Sequence, residues 1–376
     1  MPIYKTGEKK NGREKYRVVV SYVAPDGRYR KKERTVYGSA EAKATESQLM
    51  SELKQATPAA VITVEELFNE YIAAKKNEVR ETTLDKTRRT LLAEVIPQLG
   101  DTSLSKLNKK VLQNWKNDIS NRDLALTTKR NFYKEFCAML NFAVKLDYIP
   151  KNYLTDLGNF KDTTFEPPAE KIQYYTAEQF KQFISVAKSN ARSLSDWGMY
   201  VFFNIAFYTG ARKGEINALK WSDIEGDTMH IRRSIAQKLK GGDRETAPKN
   251  KTSIRDIKLP QPLIAILDEH KLRQQEDRNF SEDYRVCGGI SCLRDSNISN
   301  HNKAFADAAN LPHIRVHDFR HTHATLLINE GINIQEIARR LGHANVKMTW
   351  DVYAHLYPRE EERALTVLDK IDFSKL

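Results

Sequence analysis

Apolar and polar positions change their period along this chain, and each change marks a different kind of structure. From Tyr16 to Val23 the residues are mostly β-branched or aromatic, Pro25-Asp26-Gly27 is a turn signal, and Arg28 to Val36 reads as a second strand, this one very basic. Ser39 follows Gly38 and opens a helical run through Leu49, Met50 and Leu53. A small sheet backed by one helix is expected here, ending at a short linker, Ala56 to Ala60. From Ile62 the period becomes helical: Thr63-Val64-Glu65-Glu66 is a capping box, and Leu67, Phe68, Tyr71 and Ile72 form the apolar stripe behind it. Further helical stretches around 82–95, 108–120 and 127–146, broken at Leu99-Gly100-Asp101 and Pro150, predict an all-α unit. Residues 159–171 are polar and carry Pro167-Pro168, a second linker. A second capping box, Thr176 to Gln179, opens the last unit. It holds an apolar helix over Tyr200–Tyr208, a strand over Ile254–Leu259, a strand-like His313–Val316 and two late helices, Ile334–Leu341 and one bearing Tyr353. Arg363 to Ile371 carries an apolar stripe that suits docking on a neighbouring copy or on its own domain.

Length and charge sharpen this outline. At 376 residues, 40% of them hydrophobic, the chain is long enough for two to three domains. Its formal charge is +12, and residues 1–60 hold 13 Lys and Arg against 7 Asp and Glu, a net of +6 and so half of the excess. Such a chain meets an acidic partner, with nucleic acid the first expectation and a membrane surface the alternative. No stretch approaches the roughly 20 apolar residues of a membrane span, and the N-terminus lacks the apolar segment of a signal peptide. A cytoplasmic protein with no membrane partner is expected. Cys137, Cys287 and Cys292 are too few for a disulfide framework and lack zinc-site spacing. Arg28, Arg30, Lys31, Lys32 and Arg34 run along one basic strand, as a β-ribbon entering a major groove would require. Lys129 and Arg130 belong to a larger set of basic residues on the helical unit, suited to phosphate contacts or to a solvated bundle face.

Chemistry concentrates in the last unit. Thr209-Gly-Ala-Arg-Lys-Gly-Glu215 precedes Val316-His-Asp-Phe-Arg-His-Thr-His-Ala-Thr325 by about a hundred residues; Leu341-Gly342-His343 and Thr349-Trp-Asp-Val-Tyr-Ala-His355 follow. A phosphodiester repels nucleophiles and gathers negative charge on its non-bridging oxygens as it is attacked. Guanidinium groups answer that need, because they stay charged and fork onto two oxygens. His317 and Arg320 lie three apart and share a helix face, so one can grip an oxygen while the other handles a proton. His317 and His321, four apart, also fit a metal pair, but no acidic third ligand is spaced with them. His321 and His323 are expected to pack or hydrogen-bond within their helix.

These motifs resemble those of the tyrosine recombinase family, in particular phage and mobile-element integrases. The resemblance is dense over 172–357 and extends in layout over the rest of the chain. It implies a multidomain α+β fold: an arm-type DNA-binding domain at 1–57, with a three-stranded sheet and a helix; a helical, SAM-like core-binding domain at 62–158; and a mainly-α catalytic domain with a small antiparallel sheet and a C-terminal tail at 172–376. It also implies site roles. Arg212, oriented by Glu215, and Arg320 would be the catalytic arginines, with His317 and His343 beside them. Tyr353 would be the nucleophile, Tyr357 being the nearest alternative. A hairpin lysine would protonate the leaving oxygen; the register of Pro248–Ser253 selects Lys249, a shifted register Lys251, and either also suits a plain backbone contact. The implied reaction is site-specific recombination through a 3′-phosphotyrosyl intermediate, with no cofactor and no metal. Implied partners are double-stranded attachment sites with core and arm sequences, three further copies in a homotetramer, and a host DNA-bending protein or excisionase, all in a bacterial cytoplasm. A type IB topoisomerase or a non-catalytic DNA-binding regulator are the alternatives. Two departures from the family pattern, Cys287-Gly288-Gly289 and the polar Arg255-Asp256-Ile257-Lys258, are expected not to touch the proposed centre.

Overall fold

The computed structural model describes residues 3–10, 12–23, 29–54, 62–162, 173–237, 242–247, 251–356 and 365. Arg28, Lys249, Tyr357, the 25–27 turn, the Ala56–Ala60 linker and, Leu365 apart, the 363–371 stripe lie outside the described residues. The chain divides into two compact units, Met1–Glu166 and Pro167–Leu376, and the division falls within the 159–171 segment.

The first unit opens with strands β1 (Ile3–Lys10), β2 (Arg13–Val23) and β3 (Tyr29–Tyr37) in an antiparallel sheet of order β1-β2-β3, followed by helix α1 (Ser39–Lys54). Val18 and Val20 of β2 pack with Ala42 and Leu49 of α1 in a small core. Because side chains alternate across a strand and directly paired residues share a face, register sorts the basic residues of β3. Arg34, Lys32 and Arg30 pair with Val18, Val20 and Tyr22 and share the helix-facing side, whereas Lys31 pairs with Ser21 on the other. Lys32 and Arg34 meet Glu52 of α1 at 2.8 and 3.2 Å. Of the basic run, Arg30, Lys32 and Arg34 therefore share one face while Lys31 stands on the other.

The helical part comprises α2 (Val64–Lys75), α3 (Glu81–Glu94), a single turn α4 (Ile96–Leu99), α5 (Lys109–Asn121), α6 (Leu126–Lys145) and the short α7 (Tyr153–Leu157). The Thr63–Glu66 capping box forms as its spacing predicts. Leu112, Trp115 and Ile119 of α5 meet Phe136, Met139 and Leu140 of α6 in one core, where Trp115 stands edge-on to Phe136 and donates Nε1–H to the Glu94 carbonyl at 2.7 Å. Lys129 and Arg130 are half-buried and donate to the Ser120 and Phe160 carbonyls at 2.8 and 3.0 Å.

In the second unit α8 (Ala177–Ser189) and α9 (Leu194–Thr209) both begin at capping boxes. Helix α9 is buried on nearly every side, as an all-round apolar helix must be; Phe180, Phe183, Phe305 and Phe319 gather against its Phe203 and Phe207. After α10 (Lys213–Ala218), strands β4 (Ile224–Glu225), β5 (Thr228–Ile231) and β8 (Arg255–Lys258) form one antiparallel sheet, and β6 (Ser234–Ala236) with β7 (Arg244–Thr246) a separate hairpin. Helices α11 (Gln261–Gln275), α12 (Asp295–Ala308), α13 (Asp318–Asn329), α14 (Ile334–Leu341) and α15 (Val346–Tyr353) complete the described residues apart from a last 3-10 turn, Ala354–Leu356. His313–Val316, expected as strand-like, has no ladder partner. Its Ile314 carbonyl accepts instead from the Asn302 side-chain amide at 2.7 Å, which removes the need for a neighbouring strand. Among the described residues no helix is long and apolar enough to cross a membrane.

Candidate active site

The site is built where two helices stop. Helix α9 ends at Gly210 and α14 at Gly342, both left-handed, with φ of 63° and 66°. A Cβ at Gly210 would lie 2.7 Å from the His323 ring, and one at Gly342 2.9 Å from the Arg255 guanidinium, so both turns need glycine for space as well as for backbone freedom. Each turn lends a carbonyl to an arginine from a distant part of the chain. Arg320 donates Nη1–H to Gly210 O at 2.9 Å, and Arg212 donates Nη2–H to Gly342 O at 3.3 Å.

Arg212 caps α10, where its backbone N–H and its Nη1 both donate to Glu215, at 2.9 and 2.8 Å. Glu215, 4% exposed, also accepts from Arg255 Nη2 at 2.9 Å. Burial alone would raise the Glu215 carboxyl, but the Arg255 charge and hydrogen bond, with Arg212 behind them, hold it below the usual carboxylate range. Arg255 is equally buried and spends its remaining donors on carbonyls, Nε on Arg340 O at 2.6 Å and Nη1 on Ser253 O at 3.0 Å. It thus joins the end of α14, the start of β8 and the Arg212 carboxylate partner.

Helix α13 supplies the opposite wall. Arg320 is 4% exposed, and its second terminal nitrogen, Nη2, is buried with no acceptor among the described residues. Burial, then the Arg212 and Arg255 charges, lower its pKa to about 9, still well above neutrality. Asp318, fully buried, is already engaged by the Arg315 backbone and guanidinium. Arg212 and Arg255 thus share one carboxylate, Glu215, and Arg320 pairs with none among the described contacts, which leaves positive charge in a largely dry place. Buried donors are normally satisfied, so an unpaired guanidinium arm beside surplus positive charge is a donor set suited to an anion.

His317 is the residue before α13, and its ring meets that of His321 edge-on, with centroids 5.6 Å apart. Among the described residues no group of three His, Cys, Asp or Glu side chains is placed to hold a metal. His343, one residue beyond Gly342, hydrogen-bonds through Nδ1 to the buried Thr349 hydroxyl at 2.7 Å. Burial, reinforced by neighbouring arginines, lowers His317 and His343 to about 4, so both rings are neutral at pH 7. His323 bonds outside its own helix, to Phe207 O of α9 at 2.8 Å. Tyr353, at the end of α15, is 1% exposed, and its Oη lies 2.7 Å from His321 Nδ1. Burial pushes this phenol up to about 12 against the pull of Arg320.

The structure thus gathers Arg212, His317, Arg320, His343 and Tyr353. Lys251 begins a 3-10 turn, Lys251–Ser253, that leads into β8. Two participants escaped the sequence reading. Arg255 was expected as a polar departure that does not touch the centre; its bond to Glu215 corrects this, and the alternation Arg255-Asp256-Ile257-Lys258 already put it on the same face as Ile257. His321 was expected to bond within its helix; its contact with α15 depends on packing that no spacing reveals.

The phage integrase family profile matches residues 173–360, and that of the phage integrase N-terminal SAM-like domain matches 63–120. The ICEBs1 integrase of Bacillus subtilis is 28% identical over 277 residues, 72% of this chain and 73% of that protein. The Tn1549 transposon integrase in complex with transposon right end DNA superposes with a TM-score of 0.62 at 19% identity, over 82% of this chain and 99% of the other. A lambda integrase dimer bound to a COC′ core site gives 0.58 at 16% identity, over 95% and 96%. At those identities the two solved structures speak for the fold, including its mixed α and β composition.

Proposed function

This chain belongs to the phage integrase family, whose members are tyrosine recombinases, and from that premise we propose that Tyr353 is the nucleophile of a site-specific recombination reaction on double-stranded DNA. The phenol oxygen attacks a scissile phosphate, forming a 3′-phosphotyrosyl bond and releasing a 5′ hydroxyl. That hydroxyl then attacks the phosphotyrosyl bond on a partner duplex, so bond energy is kept throughout and no nucleotide cofactor is consumed. Arg212 and Arg320 hold the non-bridging oxygens, Arg320 with the Nη2 arm that has no protein acceptor. With Thr349 donating to His343 Nδ1, Nε2–H of that ring is the third donor; His317 is the fourth. Lys249, or Lys251 in the shifted register, protonates the leaving 5′ oxygen.

The observation that carries this reading is the buried, half-satisfied Arg320 in a pocket with surplus positive charge and a tyrosine at its edge. Arg30, Lys31, Lys32 and Arg34 on β3 belong to a DNA-binding arm domain, 1–57, and the 62–158 and 172–376 domains grip the core sequence. Assembly into a homotetramer on paired sites in a bacterial cytoplasm, aided by a bending protein or an excisionase, completes the reading.

The test is covalent trapping: wild type and Tyr353→Phe are incubated with nicked duplexes bearing attachment sequences, and a denaturation-resistant protein–DNA band is sought. A band with wild type alone supports the reading. A band that survives the substitution moves the nucleophile elsewhere, and tight binding without a band in wild type refutes it.

A further inference from the structure

A buried nucleophile needs somewhere to send its proton, and the structure assigns that task to His321: we propose that its Nδ1 accepts the Tyr353 phenol proton as the tyrosine attacks phosphorus, and returns it when the strand is rejoined. This rests on Tyr353 being the nucleophile. The contact is direct, at 2.7 Å, and links α13 to α15 across 32 residues of sequence. The two rings stand 5.6 Å apart at 59°, so the bond is made by converging ring edges rather than by a stack. Tyr353 is 1% exposed, which keeps bulk water from the phenol in this conformation. His317 faces His321 rather than the phenol in the described contacts.

The groups around His321 suit a transient positive charge. Asp318 lies one turn back on the same helix and favours the imidazolium; Arg315, which pairs with Asp318, and Arg320 oppose it, and burial opposes it most. His317 touches its ring, and Tyr353 is its partner from α15. Such a transfer requires a neutral resting pair in which the phenol donates to an imidazole that carries its hydrogen on Nε2. Full proton transfer at rest is uphill, since the phenol is pushed up to about 12 while the imidazole is pushed down. It becomes favourable as the O–P bond forms, because an ester oxygen has lost the basicity of a phenolate. The bond account closes: Tyr353 O–H breaks, Nδ1–H and O–P form, and P–O5′ breaks with a proton from the hairpin lysine. The arriving phosphate also offsets the Arg320 charge that disfavours imidazolium.

Adduct formation on nicked duplexes, in single turnover, tests this with His321→Ala and His321→Asn, each first checked for wild-type duplex binding and melting temperature. Asparagine keeps a hydrogen-bonding atom near Nδ1 but takes no proton. Both variants are expected to slow adduct formation by about 100-fold or more, the usual span for a lost general base. Added imidazole should restore part of the alanine rate. A substrate with sulfur in place of the bridging 5′ oxygen, whose leaving group needs no acid, should rescue Lys249→Ala or Lys251→Ala and leave the His321 variants slow. An asparagine variant at wild-type rate would reduce His321 to a tether and overturn the proposal, and rescue of the alanine variant by the sulfur substrate would do the same. On the unaltered protein with that substrate, the rate should level off above pH 6.5; a tenfold rise per unit up to pH 9 would mean that hydroxide takes the proton. Tyr353→Phe run alongside separates the two failures, since an adduct there removes the nucleophile assignment itself.

Discussion

Strand β3 and the pocket around Arg320 both concentrate cations, and they treat the charge in opposite ways. On β3 Arg30, Lys32 and Arg34 share one face and Lys31 lies exposed on the other, with Lys32 and Arg34 sharing Glu52. Water solvates such groups, salt screens them, and neighbours substitute for one another. In the pocket Arg255 and Arg320 are each more than nine-tenths buried, and their donors go to named carbonyls and to Glu215. Exposed charge sets how strongly and at what salt the protein meets a polyanion; buried charge sets where one phosphate sits. The first tolerates exchange of one residue for another, and the second does not.

The hardest blow to that contrast should come from Arg320. Arg320→Lys keeps the charge but loses the fork that serves Gly210 and a phosphate together, and adduct formation should fall by about 1,000-fold with duplex affinity within a few-fold of wild type; retention of a tenth of the activity would show that charge alone suffices. Glu215→Gln comes next. It strands Arg255 without its counter-charge, and breaking a buried pair typically costs about 3–5 kcal/mol, so the catalytic unit should melt earlier. Glu215→Gln combined with Arg255→Met should recover much of that loss, and a double variant no more stable than the single one would deny the coupling.

Acid should separate the regions more gently. His317, His343 and His323 have folded pKa values of about 4, 4 and 3, below the ordinary 6.5. The unfolded chain therefore binds protons that the folded chain refuses. Their contribution is complete above pH 6.5 and drains away as pH falls toward 4, so thermal stability of the catalytic unit should decline through that window. A flat melting temperature from pH 7 to 4.5 would contradict the burial of these rings. The smallest effect belongs to Lys31→Ala, which should leave melting unchanged and lower the slope of log affinity against log salt by about one; an unchanged slope would remove Lys31 from the DNA contacts.

The sequence made most of the fold legible, because capping boxes and apolar stripes are local. Thr63, Thr176 and the helices they open stand where their spacing put them. The site was legible as a set of residue types in order, since Arg212, His317, Arg320, His343 and Tyr353 sit in recognisable words. What stayed hidden depends on three-dimensional closure. The bond between His321 and Tyr353, and the threefold duty of Arg255, join segments that no periodicity connects. His313–Val316 misled because an extended segment and a strand share the same residues, and only a partner distinguishes them.

The two glycine carbonyls that receive Arg320 and Arg212 lie 110 and 130 residues from the side chains they hold. Arming the pocket therefore waits on late-made residues: a nascent chain that has not yet delivered Gly342 to Arg212 has neither that contact nor Tyr353. A recombinase that cuts and rejoins DNA is thus not armed half-made, and a fragment truncated before α14 is expected to leave the DNA it touches uncut.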